Sequence, residues 1–218
     1  LIPSELVRRA SKIGNEGIAL TDHADFSNYK FIIGSLLSAK KEMEDDWEIE
    51  VLVGVEITHV PPRKIDKLVR MAKAEGAEII LVHGETIVEP VLKGTNRVSV
   101  MNEDVDILAH PGLIEAEEVW LARDNGVALE ISSRRGHSLT NGHVASLAMK
   151  VWGRSGDRYR HAFPEDLIDD EMARKVLLGC GLDIGDERCF KLCKKEFWVM
   201  NHPFLNHGDL FVFPYQDI

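Results

Sequence analysis

Four residues stand where apolar runs turn polar and carry side chains able to grip a cation. They are His23 in "GIALTDHAD", Glu56 in "EIEVLVGVEITH", His83 in "EIILVHGE" and His110 in "VDILAHPG". A single histidine in such a place is ordinarily a core residue finished by a hydrogen bond. Four in corresponding places are different, because imidazole nitrogens with a carboxylate are the donors that a borderline divalent ion such as zinc, manganese or iron takes. Such a cluster can hold a metal-bound water, lower its pKa toward neutrality and so supply hydroxide for hydrolysis. A fifth run, "VALEISS", reaches Glu130 in the same manner.

For residues so far apart in the chain to meet, the runs must be neighbouring strands in register. Each is short, continuous and rich in β-branched residues, and helical patterns separate them. "IPSELVRRASKIG" has Ser4 as a plausible cap, and "PPRKIDKLVRMAKAEG" opens on prolines and closes on glycine, as helices do. "NYKFIIGSLLSAKKEMEDD", "LIEAEEVWLARDNG", "TNGHVASLAMKV" and "PEDLIDDEMARKVLLGCG" read as helices too. Continuous apolar strands alternating with amphipathic helices indicate an α/β fold with parallel pairing and helices covering the sheet. In parallel sheets and barrels, chemistry gathers at the carboxyl ends of the strands, where His23, Glu56, His83, His110 and Glu130 lie.

The loop "SSRRGHSLTNGH" after Glu130 puts Arg134, Arg135 and His137 on the same rim. Guanidinium forks suit phosphate oxygens, so these residues are candidates for substrate binding; a solvated basic loop is the competing reading. His143 falls inside a helix pattern and reads as structural, while His59 either reaches the site or is held by a local hydrogen bond near "VPP".

With 26 Lys+Arg against 36 Asp+Glu over 218 residues, the formal charge is −10. That balance argues against general nucleic-acid binding and anionic lipid surfaces. No run approaches the roughly 18 apolar residues of a membrane span and no basic-then-apolar leader is present, so a cytoplasmic protein is expected. The oligomeric state is not legible. Cys180, Cys189 and Cys193 read as reduced thiols, the Cys-x3-Cys spacing of the last two being a weak zinc signal.

"TDHAD", "GVEITH", "LVHGE", "LAHPGLI" and "LEISSRRGHSLTNGH" resemble the successive motifs of the polymerase and histidinol phosphatase (PHP) superfamily, above all its stand-alone archaeal-type members. The resemblance covers residues 1 to about 150 and resumes at "PEDLIDDEMARKVLLGCG". It implies a distorted (β/α)7 TIM-like barrel whose rim holds up to three divalent metals and hydrolyses phosphate esters. By motif, His23, Glu56, His83 and His110 would be metal ligands, Glu56 in the place of a bridging carboxylate. A metal-dependent phosphoesterase acting on a small phosphorylated substrate is the functional expectation. An inactive metal-binding remnant of the barrel is the alternative. An amide-cleaving barrel hydrolase is disfavoured, because such sites rely on a carbamylated lysine at a strand end and no strand here ends in lysine.

The chain departs from the family pattern twice. Members begin with a strand bearing His-x-His, which is missing ahead of the first helix, and end with a strand bearing Asp-x-His before "PEDL". The stretch "VWGRSGDRYRHAFPEDL" stands there instead, with His161 close to the place of the final ligand. Codons for Trp152 to Pro164, read one base forward, permit Gly-Ala-Glu-Ala-Val-Ile-Asp-Thr-Asp-Thr-His-Ser, an apolar strand ending in the absent motif. A truncated start and a shifted frame around 152–163 are therefore expected, with fewer metals than in the family and weak or no activity. Residues 1–183 are expected to form the incomplete barrel, lacking its first strand and with a disrupted last one. Residues 184–218 should be an irregular tail in which His202, His207 and Asp209 are incidental. A barrel without its first strand would expose the edges of neighbouring strands to wrong pairing.

Overall fold

Pro3 opens the first helix, α1 (Pro3–Lys12), where its missing N–H costs nothing because the first turn has no intrahelical acceptor for it. Ile2 is the N-cap and makes no side-chain bond, so Ser4, expected as the cap, lies inside the first turn. The computed structural model describes residues 2–15, 17–43, 46–152, 161–162, 168–182 and 210–214. The elements that follow α1 are β1 (Gly17–Thr21), β2 (His23–Ala24), α2 (Tyr29–Met43), β3 (Glu50–Ile57), α3 (Pro62–Ala74) and β4 (Ile79–His83). Next come α4 (Thr95–Val100), β5 (Ile107–Ala109), α5 (Ala116–Asn125), β6 (Ala128–Glu130), a 3-10 turn (His137–Thr140) and α6 (Asn141–Trp152). β7 (His161–Ala162), α7 (Asp170–Gly179) and β8 (Leu210–Pro214) complete the described set.

The strands form one parallel sheet in the order β7-β6-β5-β4-β3-β1-β8, with β2 paired to β3. The protein is thus a mixed α/β fold, as the alternation of apolar runs and helix patterns implies. β7 and β8, the two ends of that order, also come into contact with each other.

Strand alternation divides the core in two. Ile18, Leu20, Val51, Val53, Val55, Ile57, Ile80, Val82, Leu108 and Leu129 belong to one buried cluster with helix residues such as Leu6, Ile33, Ile65, Leu68 and Val119. Ala19, Leu52, Ile79, Leu81, Ile107 and Ala128 form a second, smaller cluster on the opposite face. With a period of two, Glu56 follows Leu52 on that second face of the sheet, His83 follows Leu81 and Glu130 follows Ala128. The polar rim therefore sits directly above a small apolar layer.

Two features set the strand spacing. Gly54 pairs with Ile79, and a Cβ at position 54 would lie 2.0 Å from the Ile79 carbonyl oxygen, so only glycine lets β3 and β4 approach this closely. At the opposite ends of the strands a bracket occurs twice. Glu78, just before β4, accepts the Val53 N–H at 2.8 Å and pairs with Lys40 of α2. Asp106, just before β5, accepts the Ile80 N–H at 2.8 Å and pairs with Lys73 of α3. Each acid thus ties the neighbouring strand to the helix that precedes that same strand. At α5, Glu115 and Glu118 form a reciprocal capping box and Gly126 closes the helix at φ 74°.

Three features differ from the sequence reading. Helix α4 stands in the segment with no clear period, its residues Thr95, Asn96, Ser99 and Val100 all buried. The far edge of β1 is paired, with Gly17 to Thr21 opposite Leu210 to Pro214. The expected irregular tail thus contains a strand that fills the place next to β1. The last strand pairs with β6 over two residues, Leu129 opposite His161 and Glu130 opposite Ala162. The suspected frame change falls largely on 153–160 and 163–167, which, with Cys189, Cys193, His202, His207 and Asp209, lie outside the described residues.

Candidate metal centre

His23 and Glu56 are paired neighbours on β2 and β3, and His83 ends β4. His110 follows β5 directly. Glu56 lies between two imidazoles: its Oε1 is 3.5 Å from His110 Nε2 and its Oε2 is 3.6 Å from His23 Nε2. The His83 and His110 rings stand edge-on with centroids 4.2 Å apart. One donor atom each from Glu56, His83 and His110 falls within a sphere where all are within 4.8 Å of one another. All three residues are buried.

Gly84 makes this closeness possible. Its N–H donates to the Ala109 carbonyl at 2.9 Å, and a Cβ there would meet that oxygen at 2.5 Å. The loops after β4 and β5 therefore lie against each other. His110 has φ 30° and His59 φ 53°, the two non-glycine residues with positive φ among those described, and both belong to the cluster. Backbone strain of this kind persists where the surroundings over-determine it.

The outward nitrogens are tied and the inward ones are left open. His110 Nδ1 lies 2.9 Å from Glu130 Oε2, which also accepts the His110 backbone N–H. His83 Nδ1 donates to the Gly84 carbonyl at 3.1 Å, and His137 Nδ1 meets the Thr86 hydroxyl at 3.0 Å. The Nε2 atoms of His23, His83 and His110 are buried without a hydrogen-bond partner among the described residues. An imidazole whose Nδ1–H is engaged presents its Nε2 lone pair, the arrangement that metal-ligating histidines use.

Burial holds these rings neutral. His83 and His110 are depressed to about 3. His23 and His137 are depressed to about 4, with the Arg134 charge adding to the effect at both. Burial drives Glu130 the other way, to about 7, against hydrogen bonds from Ser132 and the His110 backbone.

No protein-family model matches the sequence. The uncharacterized protein MJ1295 of Methanocaldococcus jannaschii is 52% identical over 183 residues, covering 84% of each chain. The chain belongs to the family of that archaeal protein. A crystal structure of another uncharacterized protein aligns over 87% of this chain at 11% identity with a TM-score of 0.46. This chain spans 64% of that protein's length.

The four strand-end residues singled out from the sequence are brought together. His137, expected to touch substrate from the loop, is instead buried in the cluster, its ring 4.3 Å from that of His110. Arg134 is half-buried and its charge is felt at His23, His110 and His137, whereas Arg135 is exposed. His59 reaches the site, 5.2 Å from His83 between ring centroids. His143 bonds the Ile114 carbonyl at 2.8 Å, a structural contact. Glu89 is the residue that sequence reasoning missed: its carboxylate faces His59, His83 and His137. It lies between β4 and α4 in a segment without period, and only its sequence proximity to His83 could have drawn attention to it.

Proposed function

We propose that this protein is a metal-dependent phosphoesterase built on a PHP-type barrel. The observation that carries the reading is the buried Glu56, His83 and His110 donor set, with Nε2 atoms open toward a common centre and Nδ1 atoms engaged behind them. Two neutral imidazoles and a carboxylate fit zinc, manganese or iron and suit calcium or magnesium poorly. Barrel closure is supported by the contact between β7 and β8 and by the separate apolar cluster on the inner face of the sheet.

Glu56, His83 and His110 would hold an ion, with His23 beside the second oxygen of Glu56. A bound ion supplies Lewis acidity toward a phosphoryl oxygen and a source of hydroxide near neutral pH. The chain's own residues do the rest. Glu130 fixes the orientation and tautomer of His110, the Gly84 carbonyl does the same for His83, and Arg134 places a fixed positive charge beside the rim where phosphate oxygens would gather. Arg135, exposed on the same loop, would contact the outer part of a small phosphorylated substrate.

A specific observation favours the alternative of an inactive metal-binding remnant. The strand beside β1 is Leu-Phe-Val-Phe-Pro, which has no ligating residue type where the resemblance implies a His-x-His strand. The two readings separate on one preparation. Metal per chain is measured by elemental analysis alongside hydrolysis of p-nitrophenyl phosphate with added manganese. Turnover that chelation abolishes and Glu56→Gln lacks supports the enzyme; bound metal with no turnover of any phosphomonoester supports the remnant; absence of both overturns the proposal. Among the described residues no helix is long and apolar enough to cross a membrane.

A further inference from the structure

One buried side chain joins the loop that follows His83 to the loop that follows His110. Asn96, the second residue of α4, is 2% exposed. Its Oδ1 accepts the Glu85 N–H at 2.9 Å, and its Nδ2 donates to the Pro111 carbonyl at 2.8 Å. A backbone donor on one side and a backbone acceptor on the other leave the amide a single orientation. Glu85 returns the contact, its Oε1 accepting the N–H groups of Gly94 at 2.9 Å and Asn96 at 3.0 Å. The start of α4 is thereby fixed against the same loop.

His110 is the residue that needs this bridge. It precedes Pro111, a place where backbone is ordinarily extended, yet its φ is 30°. Backbone groups on both sides of it are held. The Ala109 carbonyl accepts the Gly84 N–H, the His110 N–H donates to Glu130, and the Pro111 carbonyl accepts from Asn96 Nδ2. The first two act on the strand side of the strained residue, and the third acts beyond it. The loops leave no slack between them: a Cβ on Gly84 would meet Pro111 Cα at 2.8 Å and Asn96 Oδ1 at 3.0 Å, and one on Gly112 would meet the Glu85 carbonyl oxygen at 2.0 Å. Loss of the Asn96 donor would free the Pro111 carbonyl and let His110 relax toward an extended backbone, carrying its ring away from Glu56 and His83.

We infer that Asn96 is a positioning residue of the metal centre. Its amide locks the two ligand-bearing loops together and keeps His110 in the strained conformation that aims Nε2 at the shared centre. This rests on the reading of Glu56, His83 and His110 as metal ligands, and it extends that reading to a helix that supplies no ligand.

The test uses the full chain, stripped with chelator and reloaded with zinc, or with cobalt(II) as a spectroscopic probe of ligand geometry. Asn96→Asp keeps the shape of the side chain and an acceptor for the Glu85 N–H, and puts a carboxylate oxygen in place of the donor to Pro111. Asn96→Ala loses both contacts. Each should weaken zinc binding by about 10-fold at unchanged stoichiometry, read by competition against a coloured chelator, and each should alter the visible absorption of bound cobalt. Glu85→Ala is the control, because it removes the acceptor for the Gly94 and Asn96 N–H groups and leaves the amide bridge in place. It should lower the urea midpoint with zinc affinity and cobalt spectrum as in wild type. Far-ultraviolet circular dichroism reports folding, and Asn96→Asp carries the test if Asn96→Ala does not fold. A lower urea midpoint in the Asn96 variants with unchanged zinc affinity and cobalt spectrum makes Asn96 merely structural, which overturns the inference and leaves the metal centre standing. Equal changes in Glu85→Ala overturn it too, since the effect would then come through α4 packing and not through the amide. Wild type that binds neither metal overturns the metal centre and the inference together.

Discussion

His110 and Glu130 are joined twice through one oxygen: Glu130 Oε2 accepts both the backbone N–H of His110 and, at 2.9 Å, its ring Nδ1. The pairing holds the imidazole in one orientation and leaves Nε2 facing Glu56. Partners of this kind behind a metal ligand typically change affinity by about 10–100-fold when altered. Glu130→Gln should therefore weaken zinc binding by about 10-fold without changing its stoichiometry. Competition against a coloured chelator measures this, and unchanged affinity would mean that Glu130 is only a core carboxyl.

The cluster sets a pH dependence for the metal-free protein. His83 and His110 are depressed to about 3, and His23 and His137 to about 4, so the folded chain binds fewer protons than the unfolded chain below the ordinary value of 6.5. Their contribution to stability is complete above that value and is lost progressively as pH falls toward 4. Glu130, raised to about 7, acts oppositely: its contribution is present below the ordinary 4.5 and is lost as pH rises through 7. Four rings against one carboxyl make the net slope between pH 6.5 and 4.5 one of falling stability on acidification. Urea midpoints across that range should drop in wild type and drop less in His83→Gln.

The same depression affects metal retention. Rings that remain neutral at pH 5 offer no proton for an ion to displace, so zinc should stay bound there, below the point where ordinary histidine sites release it. Dialysis at pH 5 followed by elemental analysis decides this; full release would contradict the burial of the rings.

Gly54→Ala tests the spacing of β3 and β4. Its Cβ would stand 2.0 Å from the Ile79 carbonyl oxygen, which is backbone and cannot turn aside. Overpacking of this kind costs about 1–3 kcal/mol or more, read as a lower urea midpoint.

Asp106→Ala tests the repeated bracket. It strips the Ile80 N–H of its 2.8 Å acceptor and Lys73 of its partner. An unsatisfied backbone donor costs about 1–3 kcal/mol, and Glu78→Ala should cost about the same through Val53. A change well below 1 kcal/mol in both would show that water takes over the bond.

Much of this arrangement was legible because period-two burial is a strong signal. In "EVLVGVEI", Leu52, Gly54 and Glu56 share a face, so a polar residue closing that series must sit at the rim. The same logic placed His83, but not His110, which follows Leu108 of the other cluster and leaves the strand alternation with its φ of 30°. It could not place Glu89, which approaches His83 through a loop whose path depends on α4, a six-residue helix too short to leave a period. Nor could it tell that His137 would turn inward, since that follows from its bond to Thr86, far away in sequence. The strand at Leu210–Pro214 falls in a tail that reads as irregular, and pairing with β1 is a non-local choice that local pattern does not encode.

The central claim is that Glu56, His83 and His110 grip one cation. Anomalous diffraction at the zinc edge, from crystals of the zinc-loaded protein, addresses it most directly. The account requires a peak at about 2.0–2.2 Å from His83 Nε2, His110 Nε2 and a Glu56 oxygen. A zinc-loaded crystal with no peak at that centre, or with zinc only on unrelated surface residues, would contradict it.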